Sequence, residues 1–399
     1  MRIMSKVSIV KTDCYDEAII AADVRKAVEL IGGMASVVKP GDKVLVKPNF
    51  AAVPLDRLSG AITRWEVCKA VMDLVREVGG EPFIAESSAA GVDTEKVIEA
   101  CGYDQLREQG YEVIDLKRAE KTVIPVKNGL LLKELNTWKP VVEADVIISV
   151  PVMKTHDQTE VTLGMKNIKG LIGDTQKKWF HTAGVQEGVV DLNATLKPKL
   201  TVMDGTIAQE GYGPLFGDRV EMGVILASTD VVACDAVGGK LMGYEPEEVG
   251  ITRIAGKIAK IGELDISKIE IAGNTIEETA RVFKRSSQVE IPGLPDFKLI
   301  LTEGACTGCR NTVISAIMDM KNDGIEHTLA GKTILVGPFD QFPEDVDPKD
   351  IVLIGKCTMK FRDRATFVPG CPPNNIFVER GISGIEDVKR RYSTEGDVD

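Results

Sequence analysis

The chain has 399 residues, 44% hydrophobic and 27% charged, enough apolar material for more than one globular domain. Its net charge of −11 and its 5% aromatic content argue against nucleic acid as a partner: a duplex binder needs a basic face to displace counterions, and a single-strand binder needs aromatic platforms. No apolar run approaches the roughly 18–20 residues that span a bilayer, and the start MRIMSKVSIVKTD has no continuous apolar stretch, so a cytoplasmic protein without membrane contact is expected.

Val24, Val28 and Ile31 recur at helical spacing and stop at Gly32. KVLVK (Lys43–Lys47) reads as a buried strand. Val67, Val71, Leu74, Val75 and Val78 mark an amphipathic helix closed by Gly79 and Gly80. PFIA (Pro82–Ala85), DVIISV (Asp145–Val150), KLTVM (Lys199–Met203) and GVILA (Gly223–Ala227) are further strands. Strands alternating with helices predict an α/β domain over 1–283, with a mostly parallel sheet flanked by helices. Such sheets bind ligands in the loops beyond their strand C-termini. KRSSQVEIPGLPD (284–296) reads as a linker, carrying charge and two prolines. A second, smaller α/β domain is expected over 297–388, with strands KLILT (Lys298–Thr302), TILVG (Thr333–Gly337) and IVLIG (Ile351–Gly355) and a helix through Val313, Ile317 and Met320. Residues 389–399 read as a flexible tail.

The 8 cysteines of a reducing compartment must be explained by packing or by metal chemistry. Cys306 and Cys309 form a C-x-x-C between a strand and a helix, where Gly304 and Gly308 let backbone N–H groups approach sulfur. The helix N-terminus beyond them stabilises thiolate. Cys357 follows IVLIG directly, and Cys371 lies in PGCPPNN after the short apolar run ATFV. Three strand ends would thus deliver thiolates to one sheet edge, as a four-thiolate iron–sulfur site requires. A structural zinc needs the same ligands, and a redox dithiol needs only Cys306 and Cys309. Cys14, Cys68, Cys101 and Cys234 are scattered and read as packed thiols. The sequence C-T-G-C, a lone cysteine, then G-C-P-P is similar to the cluster-binding pattern of the small subunits of hydrogenases and of complex I relatives. That resemblance implies a [4Fe–4S] cluster on Cys306, Cys309, Cys357 and Cys371.

The larger domain carries its polar motifs at strand ends. VKPNF holds Lys47 and Asn49, and VPVMKTH places Lys154 and His156 just after DVIISV. LGMKNIKGLIGD holds Lys166, Asn167 and Lys169, and MDGTIAQEGYGPLFGD holds Gly211, Gly213 and Pro214. Four lysines on such loops make a cationic pocket for an anionic small molecule, unless they are solvated surface residues. Asn49 and Asn167 add neutral hydrogen bonds, His156 moves protons near neutral pH, and Gly211-Tyr212-Gly213-Pro214 lets backbone approach a ligand.

These blocks, in this order over residues 5–245, resemble the domain-of-unknown-function 362 (DUF362) family. The family has no settled activity. Many members pair the domain with ferredoxin-like cysteines, so the resemblance implies the fold and a redox setting but no reaction. This chain lacks the dense ferredoxin run and has the separate cysteine domain instead. The order His156, Lys166, His181 is also similar to the N-terminal domain of nickel-pincer lactate racemases. There a lysine carries the cofactor, one histidine does acid–base work and another ligates nickel. Arg64, in GAITRWE, matches the T-R context of their substrate-binding arginine. The glycine-rich stretch before that lysine reads TLGM here, which departs from the pattern. Read alone, His181 is a loop residue near Trp179, and His327 is plain surface.

The expected function is a redox enzyme with a [4Fe–4S] cluster. His156, Lys154 and Lys166 would be catalytic. Lys47, Asn49, Arg64, Asn167, Lys169, Gly211, Gly213 and Pro214 would bind an anionic substrate. The alternatives are an electron carrier serving a redox partner protein, a binding protein with structural zinc, and, more remotely, a nickel-pincer racemase. A homodimer is needed only if one chain leaves His156 far from the cysteines.

Overall fold

The computed structural model describes residues 4–288 and 291–388. The expected tail, 389–399, and residues 289–290 of the expected linker lie outside them. Twelve strands build the larger part: β1 (Ser5–Lys11), β2 (Lys43–Lys47), β3 (Glu81–Glu86), β4 (Glu112–Asp115), β5 (Lys121–Pro125), β6 (Glu134–Trp138), β7 (Val146–Ser149), β8 (Val152–His156), β9 (Glu160–Thr162), β10 (Leu200–Glu210), β11 (Asp218–Ser228) and β12 (Ile269–Gly273). Ten of these form one sheet in the order β12-β1-β11-β10-β7-β2-β3-β4, with β8 added beside β10 and β9 beside β8. The run β10-β7-β2-β3-β4 is parallel throughout. The β1–β11, β10–β11 and β8–β9 pairs are antiparallel. β5 and β6 form a separate hairpin.

Central parallel strands are buried on both faces, so they read as unbroken apolar runs. β2 shows why. Val44 and Val46 enter the core under α1 (Glu17–Leu30) and α2 (Trp65–Glu77). Leu45, between them, enters the opposite core with residues of α3 (Gly164–Asn167), α4 (Asp174–Ala183) and α5 (Val185–Leu196). On that second side α6 (Val231–Leu241) packs a third cluster against β1 and β11. Its N-terminus is capped by Asp230, whose side chain accepts from the N–H groups of Val232 and Ala233.

The smaller sheet is wholly parallel: β13 (Lys298–Leu301), β14 (Thr333–Val336), β15 (Ile351–Ile354) and β16 (Thr366–Val368). α7 (Thr307–Asn322) and α8 (Asn375–Ser383) cover it, with Val313, Ile317 and Met320 packed on Val336 and Ile354. Among the described residues no helix is long and apolar enough to cross a membrane.

Two expectations change. Lys154 and His156 do come after β7, but on a further strand and not a loop: they lie within β8, whose polar residues hide its strand character. KLTVM and GVILA are only parts of β10 and β11, a long antiparallel pair continuing through buried polar residues. The segment from 284 begins bonded to the larger part, since the Lys284 N–H donates to Glu210 and the Ser286 hydroxyl to the Gly211 carbonyl.

Leu45 is fully buried in the middle of β2. Leu45→Ala is expected to cost about 2–5 kcal/mol, read from the denaturant midpoint at unchanged slope.

Candidate functional site

A cavity of about 430 Å³ opens at the C-terminal ends of β2, β3 and β8. Asn49 follows β2, Glu86 ends β3, and Lys154 and His156 project from β8. Lys166 and Asn167 come from α3, and Lys177 and His181 from α4, with Lys169 between those helices. Asn374 and α8, through Asn375, Glu379 and Arg380 among others, add wall from the smaller sheet's side.

The lysines have different fates. The Lys47 side chain is fully buried and donates to Glu86, to the Pro48 carbonyl at 2.7 Å and to Asn167 Oδ1 at 3.3 Å. Burial alone drives Lys47 down and Glu86 up, towards their neutral forms. Their opposite charges, and the N–H groups of Phe50 and Ser87 on Glu86, hold the pair ionised. Lys154 donates to the carbonyls of Ala61 and Pro214, the latter at 3.0 Å. Burial, with Lys166 adding, brings it down to about 7. Lys177 donates to the Ser87 carbonyl at 2.8 Å, the Ser87 hydroxyl at 2.6 Å and the Ser88 carbonyl at 2.6 Å.

Lys166 and Lys169 face histidines instead. Lys166 Nζ lies 3.0 Å from His156 Nε2, and Lys169 Nζ lies 3.2 Å from His181 Nε2. Neither pair contains a carboxylate. Burial lowers Lys166 to about 8, opposed by Asp157, and lowers Lys169 well below the usual range, with Lys166 adding. Burial, then Lys166, pushes His156 down to about 3, so its ring is neutral.

His156 Nδ1 stands between two partners, Asp157 Oδ1 at 2.8 Å and the Gln158 N–H at 3.0 Å. A proton on Nδ1 suits Asp157 and leaves Nε2 to accept from the Lys166 ammonium. A proton on Nε2 suits Gln158 and requires Lys166 as a neutral amine. Two coupled proton shifts, from Lys166 to Nε2 and from Nδ1 to Asp157, therefore interconvert the two states of the Asp157–His156–Lys166 chain. Its far end is anchored in the smaller part. Ser315 Oγ donates to Asp157 Oδ2 at 2.6 Å, Asn375 Nδ2 donates to Ser315 Oγ at 2.7 Å, and Gln158 Nε2 donates to Asn375 Oδ1 at 3.1 Å.

Five buried polar atoms of residues that line the cavity have no hydrogen-bond partner among the described residues: Asn49 Oδ1, Ser88 Oγ, Thr162 Oγ1, His181 Nδ1 and Arg380 Nε. Such atoms are costly to bury.

The four cysteines meet at the C-terminal ends of β13, β15 and β16. Cys306 caps α7 and Cys309 sits in its first turn; Cys357 and Cys371 follow β15 and β16. The Cys309 thiol and the N–H groups of Cys309 and Gly308 pull Cys306 down to about 6, against burial. Cys306 raises Cys309 in turn, with burial and the charges of Cys371 and Cys357. Burial lifts Cys371 to about 11, with Glu187, Cys306 and Cys357 adding. The four sulfurs thus share one electrostatic neighbourhood. Gly355 makes room for it: its φ is +83°, and a Cβ there would lie 2.9 Å from Cys309 Sγ. Among the described residues no group of three or more His, Cys, Asp or Glu already stands in a metal-holding arrangement.

The cysteine loops touch the segments that carry both histidines. The Cys371 N–H donates to the His181 carbonyl at 3.0 Å, and the Val185 N–H donates to the Cys371 carbonyl at 3.2 Å. Gly308 packs on the Gln158 carbonyl, which a Cβ would approach to 3.1 Å. One chain therefore brings cavity and cysteines together, and no second copy is needed to do so.

Several expected ligand-binding residues lie elsewhere. Lys47 is spent on Glu86. Arg64 is buried against Glu66 at 2.8 Å and the Cys14 carbonyl, away from the cavity. Gly211 and Gly213 pack backbone: a Cβ on Gly213 would lie 2.1 Å from the Thr155 carbonyl oxygen. Only Pro214 of that run lines the cavity. His181 is no loop residue; it lies on α4, one turn after Lys177, and both face the cavity. That i, i+4 spacing was readable. Asp157, Ser315 and Asn375 were not singled out, and no local pattern marks contacts so distant in sequence. His327 is exposed, and Cys68, Cys101 and Cys234 are packed in the core.

The chain belongs to the DUF362 family, described as a domain of unknown function, whose family model matches residues 44–240. That span holds the lysines and histidines of the cavity and ends before the four cysteines. The chain is 32% identical over 264 residues to a thylakoid-associated protein of Synechocystis sp., covering 62% of this chain and 77% of that protein. Among solved structures it is similar to the lactate racemase apoprotein of Thermoanaerobacterium thermosaccharolyticum, with a TM-score of 0.38 and 13% identity. That match covers 59% of this chain and 57% of the racemase chain.

Glu86→Gln would leave the Lys47 ammonium buried without a carboxylate. It is expected to destabilise the fold by about 3–5 kcal/mol, measured by denaturant unfolding.

Proposed function

We propose that this DUF362 protein is a redox enzyme whose cavity takes a small anionic substrate, with Cys306, Cys309, Cys357 and Cys371 as the ligands of a [4Fe–4S] cluster. The observation that carries the reading is the pair of lysines, Lys166 and Lys169, that meet histidine rings instead of carboxylates in the cavity. A substrate carboxylate would supply the missing negative charge. His156 would move a proton at Nε2, because Asp157 balances the ring from the other side.

The donor set fits the cluster. Three strand ends and a helix N-terminus carry the four cysteines, and the Cys309 thiol with backbone N–H groups favours thiolate at Cys306. When bound, such a cluster supplies or accepts single electrons. Lys154 and Lys177 are almost fully buried, which supports a substrate cavity over an electron carrier whose lysines would meet an acidic partner surface.

Protein purified without oxygen is expected to be brown, with about four iron and matching sulfide per chain, and Cys306→Ala is expected to lose both. Colourless protein with about one zinc per chain would overturn the redox reading. Anion binding has its own signature. Lys166 and Lys177 are cationic below about 8 and neutral above. Affinity for oxalate, measured by calorimetry, is therefore expected to fall as pH rises through about 8, with proton uptake on binding. Affinity unchanged across that range would contradict the cavity's assignment.

A further inference from the structure

Lys166 is set apart from the other lysines on the cavity wall. Lys154 and Lys177 point their nitrogens at carbonyl and hydroxyl oxygens, which fixes them as buried donors. The Lys169 nitrogen meets His181, whose Nδ1 has no partner among the described residues, and lies 6.0 Å from the centre of the Phe180 ring. Lys166 is half-buried and faces the cavity, 3.0 Å from a histidine that is backed by Asp157. A nucleophile beside a base, with the base oriented by a third group, is the general arrangement for covalent catalysis.

We propose that Lys166 is a nucleophile that condenses with the carbonyl group of a 2-oxo acid, forming an imine in the cavity. This rests on the anion-binding reading above and names the class of anion. The carboxylate would sit at Lys169, three residues along the chain, and the carbonyl carbon at Lys166 Nζ. Phe50, Ala51, Ile376 and Phe377 offer apolar wall to the rest of the molecule. The lone pair of the Lys166 amine forms the C–N bond while the carbonyl π electrons pass to oxygen. The extra proton on nitrogen moves through His156 Nε2 to that oxygen, giving the carbinolamine. A second proton follows, water leaves, and the C=N bond forms. No oxidant or reductant is consumed.

The surroundings raise the share of neutral amine above that of an exposed lysine. His156 and Asp157 face Lys166 from the β8–β9 hairpin, Lys154 from β8, His181 from α4, and Lys169 follows in the chain. Among these Asp157 alone is a carboxylate, and burial outweighs it.

The test uses intact protein with pyruvate and sodium cyanoborohydride near neutral pH, followed by digestion and mass mapping. One reduced adduct is expected, on Lys166, forming at least about tenfold faster than on exposed lysines, which hold a far smaller share of free amine. Lys166→Arg is expected to abolish it, and His156→Gln to slow it without moving it. Adducts spread over exposed lysines, or centred on Lys169, would overturn the assignment on the unmutated protein alone. Pyruvate is titrated separately by calorimetry without reductant. Binding without a Lys166 adduct overturns the nucleophile and leaves the anion cavity standing. Neither binding nor adduct removes both.

Discussion

The carboxylate of Asp157 divides its oxygens between the two parts of the chain. Oδ1 faces His156 in the cavity, while Oδ2 accepts from Ser315 on α7 and, at 3.5 Å, from Asn375 on α8. A carboxylate this buried is stable as an ion only when it is well hydrogen-bonded, so the hairpin tip and the two helices cannot separate cheaply. Tyr212 reinforces the joint from the larger part, donating to Asp319 at 2.7 Å. The same contacts that dock the smaller sheet therefore orient the histidine. They also hold Gly308, within the cysteine loop, against the Gln158 carbonyl. Cavity and cysteine group are thus two faces of one packed interface.

Around that joint, burial sorts a crowd of cations into different roles. Lys47 is neutralised by Glu86 and ties β2 to β3. Lys154 and Lys177 lie against oxygens that would otherwise be unsatisfied, so they brace loops. Lys166 and Lys169 meet histidine rings and have no carboxylate in direct contact. Holding positive charge there without a counter-charge is costly. The cost is relieved by losing a proton or by gaining an anion, which links protonation to occupancy.

Much of this was legible before the structure. KVLVK and IVLIG announce buried parallel strands because both faces must be apolar. The three strand ends that carry Cys306, Cys309, Cys357 and Cys371 follow from strand positions alone. The cationic cavity was legible as a set of lysines, but not their division of labour. Lys47 pairs with a residue 39 positions away, and Ser315 reaches Asp157 across 158 positions. Nothing local marks such partners. β8 was hidden because its lysine and histidine are buried by tertiary contacts, not by any apolar pattern. Arg64 likewise matched a motif, yet Glu66 and the Cys14 carbonyl claim its guanidinium.

The claim that cavity and cysteine group work as one unit can be met by spectroscopy. Protein purified without oxygen is reduced and its electron paramagnetic resonance and visible spectra are recorded with and without saturating oxalate. A change in the spectrum of the proposed cluster on adding the anion, lost in Asp157→Asn with that cluster retained, is the expected result. Spectra that do not change while oxalate demonstrably binds would contradict the coupling.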